Sequence, residues 1–363
     1  MNDTKVKSII NKDELSKDDL IFLLKQYNSD SKNLIFERSI EIKKRYTENK
    51  VYLRGLIEYS NVCVKDCFYC GIRAHNKNAE RYTVSDTDVL RAAEYAYEKN
   101  YASLVIQSGE VSGENFTQKI TSLLNNIHKL TNNSLRITLS CGEQSYDVYK
   151  EWFEAGAQRY LLRIESSNEE LYRKIHPDSK LHSFKKRVHA LHDLKKIGYQ
   201  TGSGIMIGLP GQTIEHLADD LLFLKKFDID MVGMGPYVEH IDTPMFSEHG
   251  QLLSQEDRYK LSLVMFALLR ILMKDINIAS TTALDAVNSN GRIEALRIAS
   301  NVLMPNLTPI KYIENYHLYN NKTDSLNADK LIQHIEKSNN IHENLIAFGE
   351  HGDSFRFTKK SCE

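Results

Sequence analysis

Cysteine and proline are both scarce in this 363-residue chain, at five and six residues. Five cysteines, three crowded together and two isolated, do not make the evenly spaced framework of a disulfide-bonded secreted protein. Few prolines, and no stretch rich in Pro, Gly and Ser, leave little support for a flexible hinge between domains. An excess of either charge is lacking too: Lys and Arg total 47 against 48 Asp and Glu, a net charge of −1. General polyanion binders carry a basic excess, so no nucleic-acid partner is expected. No apolar run is long enough to cross a bilayer, and the opening MNDTKVKSIINKDELSKDDL lacks the apolar core of a signal peptide. The expectation is a cytoplasmic protein with reduced thiols and no membrane partner.

What is present is an alternation. From Val51 onward, short apolar runs are separated by amphipathic helical stretches such as SDTDVLRAAEYAYEKN (85–100) and TIEHLADDLLFLKKF (213–227). The runs occupy 51–60, 101–108, 135–140, 159–165, 201–209, 231–236, 276–280 and 301–305. Strand–helix alternation implies parallel strands with right-handed crossovers. Eight units predict an α/β fold, a complete (β/α)8 TIM-type barrel with an N-terminal helical extension. An open doubly wound sheet is the alternative. The expected divisions are a helical extension over 1–50, with two helices in 12–48, the barrel over 51–310, and a C-terminal helical segment over 311–363 that closes it. In a barrel, chemistry sits at the carboxyl ends of the strands. The unusual residues fall there: the cysteine group, Ser-Gly-Glu, Cys-Gly-Glu, and Arg163 with Glu165.

The cysteine group reads Cys63-Val-Lys-Asp-Cys67-Phe-Tyr-Cys70, followed by Gly71. Thiolates are the ligands that iron–sulfur clusters require. Three of them leave one iron of a 4Fe–4S cube open to the amino and carboxylate groups of S-adenosylmethionine (SAM). One electron passed to the sulfonium then breaks a carbon–sulfur bond and leaves a 5′-deoxyadenosyl radical. Other readings are a zinc site with His75 as a fourth ligand, or three free thiols. The spacing, placed after the first barrel strand, resembles the radical SAM superfamily, in which an aromatic such as Tyr69 lies beside the adenine. Gly204-Ile-Met206-Ile-Gly208-Leu-Pro-Gly211 lacks the spacing of a dinucleotide fingerprint. Its glycines allow a flat base to approach, and Met206 can pack against it. Thr213 is a plausible helix N-cap.

Longer strings carry a closer resemblance. RGLIEYSNVCVKDCFYCGIRAHNKNAERY, VIQSGE, TLSCGE, AGAQRYLLRIESSN, GLPGQTIEHLADDLLFLKKFDIDMVGMGP, DTP, NIASTTA and NVLMPNLTP together resemble the HydE family of FeFe-hydrogenase maturases. These are radical SAM enzymes related to biotin synthase and methylornithine synthase, and the match runs from about Val51 to Tyr319. The resemblance implies one 4Fe–4S cluster on Cys63, Cys67 and Cys70, and SAM as cosubstrate. It implies a part in assembling the 2Fe subcluster of the hydrogenase H-cluster, by attack on the cysteine sulfur of an iron carbonyl–cyanide precursor. The expected partners are a small-molecule or organometallic iron substrate, the other hydrogenase maturases, and a reductant such as ferredoxin or flavodoxin.

By the same resemblance, Gln107, Ser108, Gly109 and Glu110 form the loop that binds the SAM amino group, a role for which a carboxylate and backbone carbonyls are suited. Glu165 takes the ribose hydroxyls, Arg163 lies near the SAM carboxylate or the substrate, and Arg187 pairs with the SAM carboxylate. Arg163 and Glu165 are the candidate catalytic residues, with a structural salt bridge as their plain alternative. A substrate cavity is implied at Arg54, Thr138, Arg159, Thr281, Thr282, Met304, Tyr316 and Tyr319, whose arginines and hydroxyls suit an anion. Cys141 reads as a small buried residue and Cys362 as incidental.

The chain departs from some family members in having no cysteine after NYHLYNNKTD until Cys362, so no second cluster is expected. Ile164 stands where some relatives carry histidine. A methylornithine-synthase-like or biotin-synthase-like enzyme acting on a small amino-acid substrate is the alternative function, although biotin synthase needs further cysteines inside the barrel. A zinc or iron–sulfur scaffold without catalysis is a third.

Overall fold

The computed structural model describes residues 2–320, 322, 328–342 and 344–360. The strands are β1 (Lys50–Leu53), β2 (Gly55–Ser60), β3 (Ser103–Ser108), β4 (Arg136–Ser140), β5 (Arg159–Leu161) and β6 (Gln200–Ser203). Then follow β7 (Met206–Ile207), β8 (Met231–Gly233), β9 (Gly235–Pro236), β10 (Asn277–Ser280), β11 (Val302–Leu303) and β12 (Leu345–Ala347). Every apolar run expected as a strand contains one, and β12 was not foreseen. Ten strands form one curled parallel sheet in the order β12-β1-β11-β10-β8-β6-β5-β4-β3-β2, and β7 pairs with β9 beside it. Only Arg54 separates β1 from β2, yet β1 pairs with β11 and β2 with β3. Leu56 of β2 also bridges Asn306.

Helices cover the outside because the sequence starts them on cue. Ser85, Ser145, Asn168, Ser183 and Thr213 each accept a hydrogen bond from the backbone N–H three residues on. That satisfies one donor which the first helical turn leaves open. The two stretches singled out as helical form Asp86–Glu98 and Ile214–Phe227. Residues 12–48 contain Lys17–Leu24 and Lys32–Thr47, and a further helix, Asn2–Ile10, precedes them. This helical group packs on Gln255–Leu272 and Ile214–Phe227. Lys43 is fully buried there and donates to Leu296 O and Asn344 Oδ1. No helix among the described residues is long and apolar enough to cross a membrane.

The amino ends of the strands are closed by the loop after β12. Arg159, which opens β5, donates to Ser103 Oγ at 2.9 Å and to His351 O at 2.7 Å, and pairs with Asp353 at 2.5 Å. Arg54 and Asn277 both donate to Gly352 O, at 3.0 and 2.9 Å. Gln200 donates to Asp353 at 2.9 Å. Beyond this loop, helix Phe355–Lys360 is clasped by Asp228, Asp230 and Asp275 through Arg356, Lys359 and Lys360. The stretch after residue 310, expected to be helical, therefore also supplies a strand and a plug.

Asp353→Ala leaves a buried guanidinium without its carboxylate, which should cost about 3 kcal/mol. Denaturant unfolding should show a lower midpoint with an unchanged slope. An unchanged midpoint would contradict the role given to this pair.

Candidate active site

The chain leaves β2 at Ser60 and turns at once into the cysteine loop. Arg81 anchors the loop from behind by donating to Asn61 O and Ile72 O at 2.7 and 2.8 Å. Asp66 accepts from Arg73 at 2.5 Å and from the His75 N–H at 3.1 Å, while its own N–H donates to His182 Nε2 at 2.9 Å. The loop meets the end of β3 at very short range. Val64 N–H donates to Glu110 O at 2.9 Å, and Glu110 N–H donates to Cys63 Sγ at 3.3 Å. A Cβ at Gly109 would lie 2.3 Å from Val62 O and 2.8 Å from Cys63 Cβ, so only glycine permits this approach.

Cys63, Cys67 and Cys70 are unbridged and line one cavity of about 310 Å³ at the carboxyl ends of the strands. Burial pushes the Cys67 thiol up to about 12, with the neighbouring Cys63 adding to the shift. Burial raises Cys63 as well, and takes Cys70 well above the ordinary range, with Cys67 and Cys63 opposing its ionisation. Positive charge from a bound metal centre would offset that penalty and favour the thiolates. Among the described residues no three His, Cys, Asp or Glu side chains are grouped to hold a single metal ion. His75, the candidate fourth zinc ligand, is 78% exposed and turned to Asp66. The donor set suits a cluster larger than one ion, with thiolate ligands on several corners.

Beside the thiols sit four charges. Glu110 and Glu143 face Lys65 and Arg187, all nearly buried. Lys65 lies 2.9 Å from Glu110 and 3.0 Å from Glu143. Arg187 lies 3.5 Å from Glu110 and 2.6 Å from Glu143. Burial penalises the Arg187 charge, but the carboxylates of Glu143 and Glu110 hold its pKa well above the ordinary value. Gly142, at φ +74°, makes room for Glu110, whose carboxylate would lie within 2.4 Å of a Cβ there.

Arg163 and Glu165 do share one side of the chain, but beyond the end of β5 rather than on it. Arg163 Nε and Nη2 donate to the two carboxylate oxygens of Glu165 at 2.9 and 2.8 Å. Glu165 holds a left-handed backbone, φ +63°, which costs a non-glycine residue about 1 kcal/mol or more. It is fixed there by its N–H donating to Gly204 O and by accepting from the Met206 N–H. Both charged residues line the cavity, as do Tyr69, Gln107, Ser108 and Met206. Tyr69 stands edge-on to the buried His176 ring, its hydroxyl 3.4 Å from Nε2. At the inner wall Gln107 donates to Tyr316 at 3.1 Å, Thr282 and Tyr319 share a hydrogen bond of 2.5 Å, and Thr281 and Met304 complete the lining.

Three expected substrate residues are not brought into this cavity. Arg54 and Arg159 are turned to the plug at the opposite end of the sheet, where they donate to Gly352 O, His351 O and Asp353. Thr138 is buried within β4 and its hydroxyl has no hydrogen-bond partner among the described residues. Cys141 is fully buried with its sulfur 3.9 Å from Ile106 O, and Cys362 lies outside the described residues. Sequence reasoning passed over Lys65, whose place inside the cysteine spacing was the available signal. It gave no role to Glu143, although Cys-Gly-Glu was visible after β4. His176 and Tyr172 also line the cavity, and no motif announced them.

The fold and the site define the class, a radical SAM enzyme: residues 57–224 match the family described as the radical SAM superfamily. The chain is 43% identical over 288 residues to the FeFe hydrogenase maturase subunit HydE of Thermotoga maritima, covering 79% of each. Its fold is shared with the crystal structure of methylornithine synthase, at TM-score 0.80 and 22% identity over 94% of this chain and 97% of that one. It is shared also with the FeFe-hydrogenase maturase HydG of Carboxydothermus hydrogenoformans, at TM-score 0.79 and 18% identity over 98% and 82%. The chain belongs to the HydE family of hydrogenase maturases. Membership of the superfamily implies a 4Fe–4S cluster and SAM, and the three half-buried thiols lining the cavity fit that cluster.

Asp220 supports the loop that carries Glu165, accepting from both the N–H and the hydroxyl of Ser167 at 2.6 Å. Burial raises its pKa from the ordinary 3.8 to about 6. The folded state then holds more protons than the unfolded state between those values, so this group's contribution to stability falls as pH rises through that window. The melting temperature of Asp220→Asn relative to the parent should therefore rise between about pH 4 and pH 6 and level off above. A difference independent of pH would refute the shift.

Proposed function

We propose that this chain cleaves SAM reductively at a single 4Fe–4S cluster held by Cys63, Cys67 and Cys70, as a step in assembling the 2Fe subcluster of FeFe hydrogenase. The observation that carries the reading is the meeting, in one buried cavity, of three thiols with Glu110 and Arg187, in a chain 43% identical to a HydE. When bound, the cluster supplies the electron that breaks a SAM carbon–sulfur bond and so gives the 5′-deoxyadenosyl radical. The chain's own groups position SAM. Glu110, on the loop of Gln107, Ser108 and Gly109, receives the ammonium, and Arg187 receives the carboxylate. Glu165 accepts from the ribose hydroxyls, with Arg163 holding its carboxylate in place. Tyr69 and Met206 flank the adenine.

Deeper in, Thr281, Thr282, Met304, Tyr316 and Tyr319 face the space left for substrate. Hydroxyls and a thioether suit a small polar complex, here a cysteine-bound iron carbonyl–cyanide species made by a partner maturase. The other hydrogenase maturases are the working partners, and a ferredoxin or flavodoxin the electron donor. We also read the sheet as a complete eight-stranded barrel, with a helical extension over 1–50 and a closing segment over 311–363. Support comes from β1 and β2, which form one nearly continuous strand pairing with β11 on one side and β3 on the other.

Cys67→Ala should abolish 5′-deoxyadenosine formation in anaerobically reconstituted protein reduced with dithionite, while the far-ultraviolet circular dichroism stays unchanged. Undiminished formation would remove Cys67 from the ligand set. In cells, loss of this chain should leave co-expressed FeFe hydrogenase inactive, and normal hydrogen evolution would remove the maturase role.

A further inference from the structure

The charged quartet beside the thiols contains two groups that the reading of the SAM site does not use, Lys65 and Glu143. Two carboxylates face two cations, so the group is neutral as it stands. Glu143 is the better placed of the two carboxylates to capture Arg187, at 2.6 Å against 3.5 Å for Glu110. Yet the Arg187 Nε and Glu143 Oε1 that make this contact are off the hydrogen-bond axis, and neither has a hydrogen-bond partner among the described residues. What Glu143 does have is Lys65, whose ammonium donates to its other oxygen at 3.0 Å. Lys65 is itself held in place: it is 4% exposed, sits between two of the thiols in sequence, and also donates to Leu181 O.

We infer that Lys65 is a positioning residue for the amino-acid end of SAM: it shares Glu143 with Arg187 and so weakens the hold of that carboxylate on the guanidinium, which can then turn to the ligand carboxylate. The inference rests on the assignment of Glu110 and Arg187 to SAM made above. Charge counting supports it. A bound ammonium pairs with Glu110 and a bound carboxylate with Arg187, which leaves Lys65 and Glu143 as a complete pair already in contact. Without Lys65, Glu143 has only the guanidinium already 2.6 Å away and holds it, because leaving a buried carboxylate unpaired is costly. The ligand carboxylate would then face Glu143 with no free cation. The ammonium end would lose nothing, since Glu110 sheds a competing cation.

The test is ligand discrimination in the cluster-reconstituted protein. SAM and its decarboxylated analogue, S-adenosylmethioninamine, are titrated by calorimetry without reductant, so that no turnover enters the readout. Lys65→Met should weaken SAM by about ten- to a hundredfold, the worth of one charge-assisted hydrogen bond, and leave the analogue unchanged or tighter. Lys65→Arg should restore SAM affinity. Lys65→Met combined with Glu143→Gln should also restore most of it, because the competing carboxylate is gone. Equal weakening of both ligands, or no recovery in the double variant, would overturn the inference in favour of a purely structural lysine. Arg187→Met serves as the control. If it leaves SAM binding intact, the underlying assignment fails; if it abolishes the preference for SAM while Lys65→Met does not, only the present inference fails.

Discussion

The site depends on one constraint: three half-buried thiols stand close enough together to oppose one another's ionisation. In that state they are poor ligands and poor nucleophiles. A metal centre that contributes positive charge reverses the balance and makes their burial favourable. The surrounding structure is consistent with that need. Gly109 lets the loop after β3 touch the cysteine loop, and the Glu110 N–H points at the Cys63 sulfur. Hydrogen bonds from backbone to cluster sulfurs are among the means by which a protein adjusts such centres. The neighbouring charges then come to balance as a neutral quartet rather than as isolated ions, which a low-dielectric pocket would not tolerate.

Much of this was legible in the sequence. The alternation of apolar runs and capped helices gave the parallel α/β sheet, because strand and helix periods differ and the caps mark where one yields to the other. The thiol spacing singled out the three cysteines that meet in the cavity, because few other chemistries need three cysteines on one loop. The charges at the end of β3 and after β5 were found for the same reason: they stand where apolar residues would be expected. Two kinds of feature were not legible. Contacts between segments distant in the chain, such as Arg159 with Asp353, leave no local pattern, so nothing local showed that Arg54 and Arg159 face the loop after β12. Backbone geometry was also hidden. Nothing in Arg-Ile-Glu shows that the strand stops at Leu161 and that Glu165 adopts a left-handed conformation.

The two ends of the sheet divide the work. At the amino ends, the loop after β12 accepts hydrogen bonds from two buried arginines through backbone carbonyls and one aspartate, and three further aspartates hold the last described helix by ion pairs. These contacts carry stability and leave the opposite end open for chemistry, the usual arrangement of parallel α/β enzymes. At the carboxyl ends the strain of Glu165 and the crowded charges around Arg187 are tolerated because the sheet beneath them is fixed. Fold similarity to methylornithine synthase and to HydG reflects this shared frame.

The most direct measurement is electron paramagnetic resonance of the anaerobically reconstituted, dithionite-reduced protein before and after adding SAM. Three protein thiolates with one open iron predict about four irons per chain and a reduced-cluster signal whose g-values shift when SAM binds. Protein that holds no iron, or a cluster signal that SAM leaves unmoved, would contradict the account.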